Sequence, residues 1–430
     1  MTQTNAKNEV TLEIDALSYG PYGIGRLNGK AVMIPATAPG DAVEARILES
    51  KERYSVGEML RIMRPSLQRQ TPPCPYAGSC GGCSWQHLRY DAQLKAKRQS
   101  VNDALRRIGK LEDFELRPII PSPHEYHYRR RIRLQCNELK QLGFFRPASH
   151  HLVEIKSCPI ADLEAERHLA SVRHWVLQLV SSIQYVEIVA GDEPNQTIIV
   201  AGSTGAFIRG DETVARGFLE QNSGIAGIIM HGRDWRHTWG QTAISVRTDD
   251  GICLKIDGDA FTQVNSAGNR RLLNEVISAG QFEAKDRVLE LYCGAGNFTL
   301  SLAKRAREVV AVEASRASIE NGKQSARQNS IKNIRWLAAE VPPAVKRLKQ
   351  SGERFTKIVL DPPRPGAPGV QADMAAMGAE KILYVSCNPT TLARDLAAFS
   401  KNDYRLLYVQ PLDLFPHTFH VETLACIIPR

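Results

Sequence analysis

The 430-residue chain has no run of about 18 apolar residues, the length a membrane-spanning helix requires. Its first ten residues, "MTQTNAKNEV", are polar and carry no signal-peptide pattern. No internal repeat and no low-complexity tract is present. These absences direct the reading away from membrane and secreted proteins and toward a cytoplasmic one. Disulfides are rare in that compartment, so grouped cysteines there point to metal or catalysis. Two local absences narrow the chemistry. Cys80 and Cys83 form a C-x-x-C pair, but the second pair that zinc sites usually bring is missing. Gly294 and Gly296 form a G-x-G turn, but Thr299 stands where a dinucleotide fingerprint has its third glycine. That replacement argues against NAD.

The composition that remains is ordinary for a globular protein, with 43% hydrophobic and 23% charged residues. The length allows two to four domains. The formal net charge of +9 fits a polyanionic partner, and equally a generally basic solvated surface.

Residues 8–64 alternate apolar positions such as Leu12, Ile14 and Ala16, with turn signals at Gly20-Pro21, Asn28-Gly29 and Pro39-Gly40. Five short strands in so few residues predict a small barrel of the OB kind, a frequent oligonucleotide binder. Residues 72–90 are rich in Pro, Gly and Cys. Residues 91–111 predict a basic amphipathic helix with Leu94, Val101, Leu105 and Ile108 on its apolar side. Residues 115–260 mix short strands and helices, with β-like runs at 131–136, 184–190 and 197–201. From about Asp286 strands alternate with helices, through "RVLELY", "EVVAVE", "NIRWLAAE", "KIVLD" and "KILYVSC". This order predicts an α/β domain with a parallel doubly wound sheet and ligand sites at the carboxyl ends of its strands. The expected division is 1–65, 66–260 and 261–430, with the 91–111 helix free to pack on the last unit.

"VLELYCGAGNFTLSLA" reads as strand, glycine turn and helix, where Gly294 and Gly296 admit a ligand close to the backbone. Glu313 ends the second strand, 17 residues after Gly296. It is either a surface carboxylate or the acceptor for two ribose hydroxyls. Asp361 opens "DPPRPG", whose prolines stiffen a loop after an apolar strand. Together these segments resemble a class I S-adenosylmethionine methyltransferase domain.

Cys387 lies 26 residues after Asp361, at the end of the next predicted strand, in "YVSCNPTTLARDL". Thr390 or Thr391 is the expected helix cap. The thiol is either core packing or a nucleophile at the sheet edge that carries Asp361. C5 of uracil is too weakly nucleophilic to take a sulfonium methyl directly. A thiolate adding to C6 gives an enolate with carbanion character at C5, which makes the transfer possible. A base must then remove the C5 proton. Glu422, in "FPHTFHVET", is either that base or an exposed carboxylate.

In this order, "DAFTQVN", "LYCGAGNFTL", "DPPRPG", "YVSCNPTTLARD" and "FPHTFHVET" resemble the RNA uracil-C5 methyltransferases of the RumA/TrmA group. The resemblance runs over most of the chain. It implies a TRAM domain, an RNA-binding OB-type barrel, at 8–64. It implies Cys387 as nucleophile and Glu422 as base. Gln263, Tyr292, Asn297, Glu313 and Asp361 match its cofactor-contacting positions. "LAAEV" departs from the family's Gly-Asp-like pair, leaving Glu340 as the residue at the adenine end.

Cys74, Cys80 and Cys83 share one glycine-rich loop, and Cys158, in a Cys-Pro pair, matches the family's fourth ligand. Four thiolates suit a [4Fe-4S] cluster, with zinc or metal-free thiols as alternatives. Cys136, Cys253, Cys293 and Cys426 read as core packing. "EYHYRRRIRLQC" places Arg129, Arg130, Arg131 and Arg133 beside Tyr126 and Tyr128, as single-stranded RNA binders do; a solvated face is the alternative.

The resemblance implies a monomeric enzyme making 5-methyluridine from a flipped-out uridine, in 23S ribosomal RNA, with tRNA as the alternative. A radical-SAM methylthiotransferase would carry C-x3-C-x2-C and a trailing TRAM domain, and neither stands here. A non-catalytic cluster-bearing RNA binder would not need Gln263, Glu313, Asp361, Cys387 and Glu422 together.

Overall fold

The structure, a computed structural model, describes residues 8–430. Residues 1–7, which begin the polar segment and the expected 1–65 unit, lie outside the described residues.

Five strands, β1 (Glu9–Leu17), β2 (Tyr22–Leu27), β3 (Lys30–Pro35), β4 (Ala42–Ser50) and β5 (Tyr54–Arg64), close into a barrel in the order β1-β2-β3-β5-β4. Strand alternation turns Leu12, Ile14, Val32, Ile34, Val43 and Ala45 inward, where all are buried. The β2–β3 hairpin turns at Asn28 and Gly29, both with positive φ (50° and 82°), as a tight two-residue turn demands.

The Cys-rich stretch that follows is built of turns, anchored by the fully buried Trp85 and Leu88. The expected 91–111 helix spans Tyr90–Arg107. Left-handed Lys110 (φ 54°) ends the segment, so Ile108, expected on the apolar side, is exposed instead. Its buried side includes Val101, Ala104 and Leu105, which share a core with the helix Pro389–Ser400, and Gln93 and Lys97, which bond to the C-terminal tail at His417 and Asp413. The short β6 (Glu115–Leu116) then joins the last sheet of the molecule.

The middle of the chain forms a seven-stranded sheet. Its strands are β7 (Arg131–Cys136), β8 (Leu142–Phe145), β9 (Leu152–Glu154), β10 (Ile183–Val189), β11 (Thr197–Ser203), β12 (Ile225–His231) and β13 (Arg236–Gly240), in the order β13-β12-β11-β10-β7-β8-β9. Helices Leu169–Gln178 and Gly210–Gln221 cover one face through Trp175, Val186, Phe218 and Ile228. The other face meets the hairpin β14 (Ala243–Arg247) and β15 (Cys253–Asp257). That second cluster also takes in Ala295 and Leu300, so the glycine turn is packed against the middle of the chain.

The C-terminal sheet holds β16 (Arg287–Leu291), β17 (Glu308–Glu313), β18 (Ile334–Ala338), β19 (Lys357–Leu360), β20 (Lys381–Ser386), β21 (Tyr404–Leu412) and β22 (Glu422–Pro429). Its order is β18-β17-β16-β19-β20-β22-β21-β6. The first five are mutually parallel, and β22 runs antiparallel between β20 and β21. The Val/Ile/Leu runs of β16, β17, β19 and β20 are buried on both faces, as a covered parallel sheet requires, while the edge strand β18 is only partly buried. Among the described residues no helix is long and apolar enough to cross a membrane.

Candidate active site

Register alone assembles the site. Leu291 pairs with Val312 on one side and Leu360 on the other, so the strands bearing Tyr292, Glu313 and Asp361 end at one level. Leu360 pairs with Tyr384, and Ser386 with Thr423. Because β22 runs antiparallel, its first residue, Glu422, arrives at the same edge as the last residues of the parallel strands. The edge therefore reads Glu313, Tyr292, Asp361, Cys387 and Glu422, along the strand order β17, β16, β19, β20, β22. A cavity of about 1270 Å³ opens there, lined by those five residues and by Gln263, Asn297 and Glu340.

The chain leaves β16 through Tyr292, a non-glycine residue at φ 62°, and through Gly294 and Gly296 at φ 55° and 95°. A Cβ on Gly296 would stand 2.8 Å from Leu300 Cδ1. Glu313 accepts hydrogen bonds from the backbone N–H groups of Gly294 (3.1 Å) and Ser315 (2.8 Å), which fixes its carboxylate beside the turn. Asn297 exchanges two amide hydrogen bonds with Asn269, at 2.7 and 3.0 Å, so a buried partner sets its orientation. Glu340 is exposed at the rim and makes no capping bond to the helix Val341–Gln350 that it precedes. Asn265 of "DAFTQVN" does not face the cavity. It caps the helix Ser266–Gly280 and donates to the Leu414 carbonyl (3.0 Å), pinning the C-terminal tail.

The "DPPRPG" loop is held from the helix after Cys387. Asp395 accepts from Ala367 N–H (2.8 Å) and from the Tyr384 hydroxyl (2.6 Å). Thr391 donates to the Arg364 carbonyl (3.1 Å), and Arg394 to the Pro365 carbonyl (2.8 Å). The expected cap, Thr390 or Thr391, is instead Asn388, whose side chain accepts from Thr390 N–H (3.0 Å), with Pro389 in the first turn. Sequence reading passed over Asp395 and gave Thr391 only a capping role; their spacing from Cys387, on one side of the following helix, was the available signal.

Cys387 is half-buried and its thiol pKa is pushed up to about 11, by burial first and then by Glu422 and Asp361, while Arg364 draws it down. Glu422 is buried and its Oε1 has no hydrogen-bond partner. Burial and the charge of Asp361 raise its carboxyl pKa well above the ordinary range, and burial raises that of Asp361. A carboxyl so placed is neutral more easily than a free one, and a stronger base once ionised.

Cys74, Cys80, Cys83 and Cys158 line the same cavity. They belong to one charge neighbourhood, since Cys158, Cys80 and Cys74 all raise the pKa of Cys83, after burial, to about 12. Among the described residues no group of three or more His, Cys, Asp or Glu is gathered tightly enough for a single metal ion.

The basic stretch after Glu125 differs from its expected use. Arg130 is buried against Asp192, and Arg131 is spent on Glu187 and the carbonyls of Gly258 and Ala260, both at 2.6 Å. Tyr128 is buried and donates to the Pro416 carbonyl (3.1 Å), and Tyr126 packs on His417 at 4.4 Å. These residues clamp the tail that delivers Glu422. Arg129, Arg130 and Arg133 line the cavity, and Arg131 does not.

The model of the tRNA (Uracil-5-)-methyltransferase family matches residues 240–428, and that of the TRAM domain residues 5–60. Over 437 residues the chain is 32% identical to the 23S rRNA (uracil(1939)-C(5))-methyltransferase RlmD of Pectobacterium atrosepticum, covering 98% of this chain and 94% of that one. The chain belongs to the RNA uracil-C5 methyltransferase family. An RNA methyltransferase of Clostridium tetani without a described substrate is 31% identical, with 96% and 95% coverage. Among solved structures, the tRNA (uracil-54, C5)-methyltransferase of Pyrococcus abyssi, in complex with S-adenosyl-L-homocysteine, shares the fold at TM-score 0.76 and 24% identity, covering 97% of this chain and 100% of that one. The methyl donor of this uracil-C5 methyltransferase is S-adenosylmethionine. The residues present suit that donor: a side-chain-free glycine turn, and the Glu313 carboxylate fixed by two N–H groups at the end of the second strand.

Proposed function

We propose that this enzyme methylates C5 of a specific uridine in 23S ribosomal RNA through a covalent bond between Cys387 and C6. The observation that carries the reading is the shared edge on which Asp361, Cys387 and Glu422 meet one cavity. Relatives named for 23S rRNA, about as long as this chain and 30–33% identical to it, favour ribosomal RNA over tRNA.

When bound, S-adenosylmethionine supplies an electrophilic sulfonium methyl. Glu313 and Glu340 would hold its ribose and adenine ends, and Gln263, Tyr292, Asn297 and Asp361 the remainder. The Cys387 thiolate attacks C6, forming the S–C6 bond and moving the C5–C6 π electrons toward C5 and the O4 enolate. C5 would then take the methyl group as the sulfonium S–CH3 bond breaks and S-adenosylhomocysteine leaves. Glu422 removes the C5 proton, and the electron pair so released re-forms the double bond and expels the thiolate. Covalent catalysis thus splits one hard step into easier ones. A uridine inside a helical stack cannot reach a thiol on a recessed sheet edge, so the base is taken to be flipped out.

The reading gives the barrel (1–65) and the middle unit (66–260) the grip on flanking RNA, and 261–430 the chemistry. Cys74, Cys80, Cys83 and Cys158 would hold a [4Fe-4S] cluster. Four thiolates suit such a cluster, with zinc as the alternative. Methyl transfer needs no redox step from it.

The test is to map 5-methyluridine in 23S rRNA and tRNA from a strain lacking this protein. Loss of one 23S methyluridine, restored by the wild-type gene, supports the reading. Loss confined to tRNA contradicts it.

A further inference from the structure

The barrel does not merely sit beside the catalytic unit. Between β1 and β2, in "SYGPYG", the bend held by Ser18 (both its N–H and its hydroxyl donate to the Tyr22 carbonyl, at 2.9 and 3.0 Å) projects Tyr19 out of the barrel. Its ring packs against the core of the C-terminal sheet and stands edge-on to Phe419, with centroids 5.6 Å apart and planes at 87°. Its hydroxyl donates to the backbone carbonyl of Cys387 at 3.0 Å, across 368 positions of sequence.

That carbonyl stands where regular structure offers it nothing. The ladder between β20 and β22 stops at Ser386 and Thr423, and the helix after Asn388 begins its own bonding with the Asn388 carbonyl. A partly buried carbonyl at such a junction is left loose unless another group binds it. Asn388 N–H is already held by the Ser386 hydroxyl (3.2 Å), and the Asn388 side chain by the helix cap. With Tyr19 added, both polar groups of the peptide that links Cys387 to Asn388 are held, and the backbone that carries Sγ is held with them. Tyr19 is not among the residues that line the cavity, so it acts through Cys387 rather than on RNA or donor.

We propose that Tyr19 is a positioning residue for the nucleophile, a hydrogen-bond donor delivered by the barrel that aims the Cys387 thiol at C6. The inference rests on the assignment of Cys387 above. It also gives the barrel a second task, since an enzyme whose barrel is unseated would hold its donor but misalign its thiol. Misplacement of a reacting group by about 1 Å costs on the order of a hundredfold in rate, without loss of binding.

Tyr19→Phe removes the hydroxyl and keeps the ring against Phe419. The full-length enzyme and S-adenosylmethionine are mixed with 23S rRNA transcribed with 5-fluorouridine. Fluorine at C5 leaves Glu422 no proton to take, so the Cys387 adduct accumulates and can be timed. With Tyr19→Phe, adduct formation and kcat should fall about tenfold or more. KM and Kd for unsubstituted 23S rRNA, Kd for the donor, and the thermal midpoint should stay at wild-type values. An unchanged adduct rate overturns the inference, as does a loss lying wholly in RNA affinity. A wild-type enzyme that forms no adduct overturns the assignment of Cys387 itself and this inference with it.

Discussion

Cys387 and Glu422 are neighbours across two antiparallel strands. The register that pairs Ser386 with Thr423 sets them side by side at the edge of the sheet, on a strand pair that sequence spacing of 35 residues conceals. One is a half-buried thiol and the other a buried carboxyl with an unpartnered oxygen. The chemistry proposed above needs those two groups on one base.

Replacing Glu422 by Gln should leave adduct formation in place and block its resolution. Turnover should fall about 10²–10⁴-fold, the usual worth of a general base. Methylated RNA bound covalently to protein should accumulate on a denaturing gel. Turnover at the wild-type rate would remove Glu422 from the mechanism.

The thiol pKa near 11 sets the pH dependence of attack. The reactive form is the thiolate, so adduct formation should rise log-linearly with pH from 6.5 to 9, with no plateau near about 8.5 where a free cysteine levels off. Arg364 favours the thiolate, so Arg364→Gln should lower the rate by up to about tenfold, one pKa unit, by the same factor across that range. Stopped-flow adduct formation against pH checks both.

Glu290 on β16 is buried with neither carboxyl oxygen partnered, and burial pushes its pKa from 4.5 up to about 8. A carboxyl with a raised folded pKa contributes stability that is full below its unfolded pKa and is lost as pH rises through the folded one. Glu290→Gln should therefore gain stability over wild type as pH climbs from 4.5 to 8, by at most about 1.4 kcal/mol per pH unit. Urea denaturation at pH 5, 7 and 9 measures the trend.

Lys97 and Asp413 form an ion pair at 2.6 Å with both side chains fully buried, and Lys97 also donates to the Phe415 carbonyl at 2.9 Å. Lys97→Met leaves a buried carboxylate alone, at a cost of about 3–5 kcal/mol. It also releases the tail that carries Glu422, so the midpoint of urea unfolding and kcat should drop together.

Protein purified without air should contain iron and acid-labile sulfide in roughly equal amounts, as a [4Fe-4S] cluster requires. Cys158→Ser should lose most of both. Zinc in their place would overturn the cluster assignment.

Much of this site was legible because its parts sit at strand ends, and strand ends show in a sequence as apolar runs broken by Gly, Pro or Asn. "VLELYCGAG", "KIVLDPP" and "KILYVSCNP" each gave a residue that lines the cavity in that way. The tail was harder. β21 and β22 enter the sheet out of sequence order, so the position of Glu422 depends on a pairing that no local pattern carries. The arginine run misled for the opposite reason. Charge shows in sequence, but the partners that consume it, Asp192 for Arg130 and the buried Glu187 for Arg131, lie more than fifty residues away. Lys97 hid in a basic helix because its counter-ion lies 316 positions on. Tyr19 hid in a turn signal, where only docking of the barrel gives it a partner.

The central claim is the covalent role of Cys387. Its most direct test is mass spectrometry of the enzyme digested after reaction with S-adenosylmethionine and 5-fluorouridine-substituted 23S rRNA. The account predicts one peptide, that containing Cys387, bearing a methylated fluorouridine, and no such species from Cys387→Ala. An adduct on another residue, or continued methylation of uridine RNA by Cys387→Ala, would contradict it.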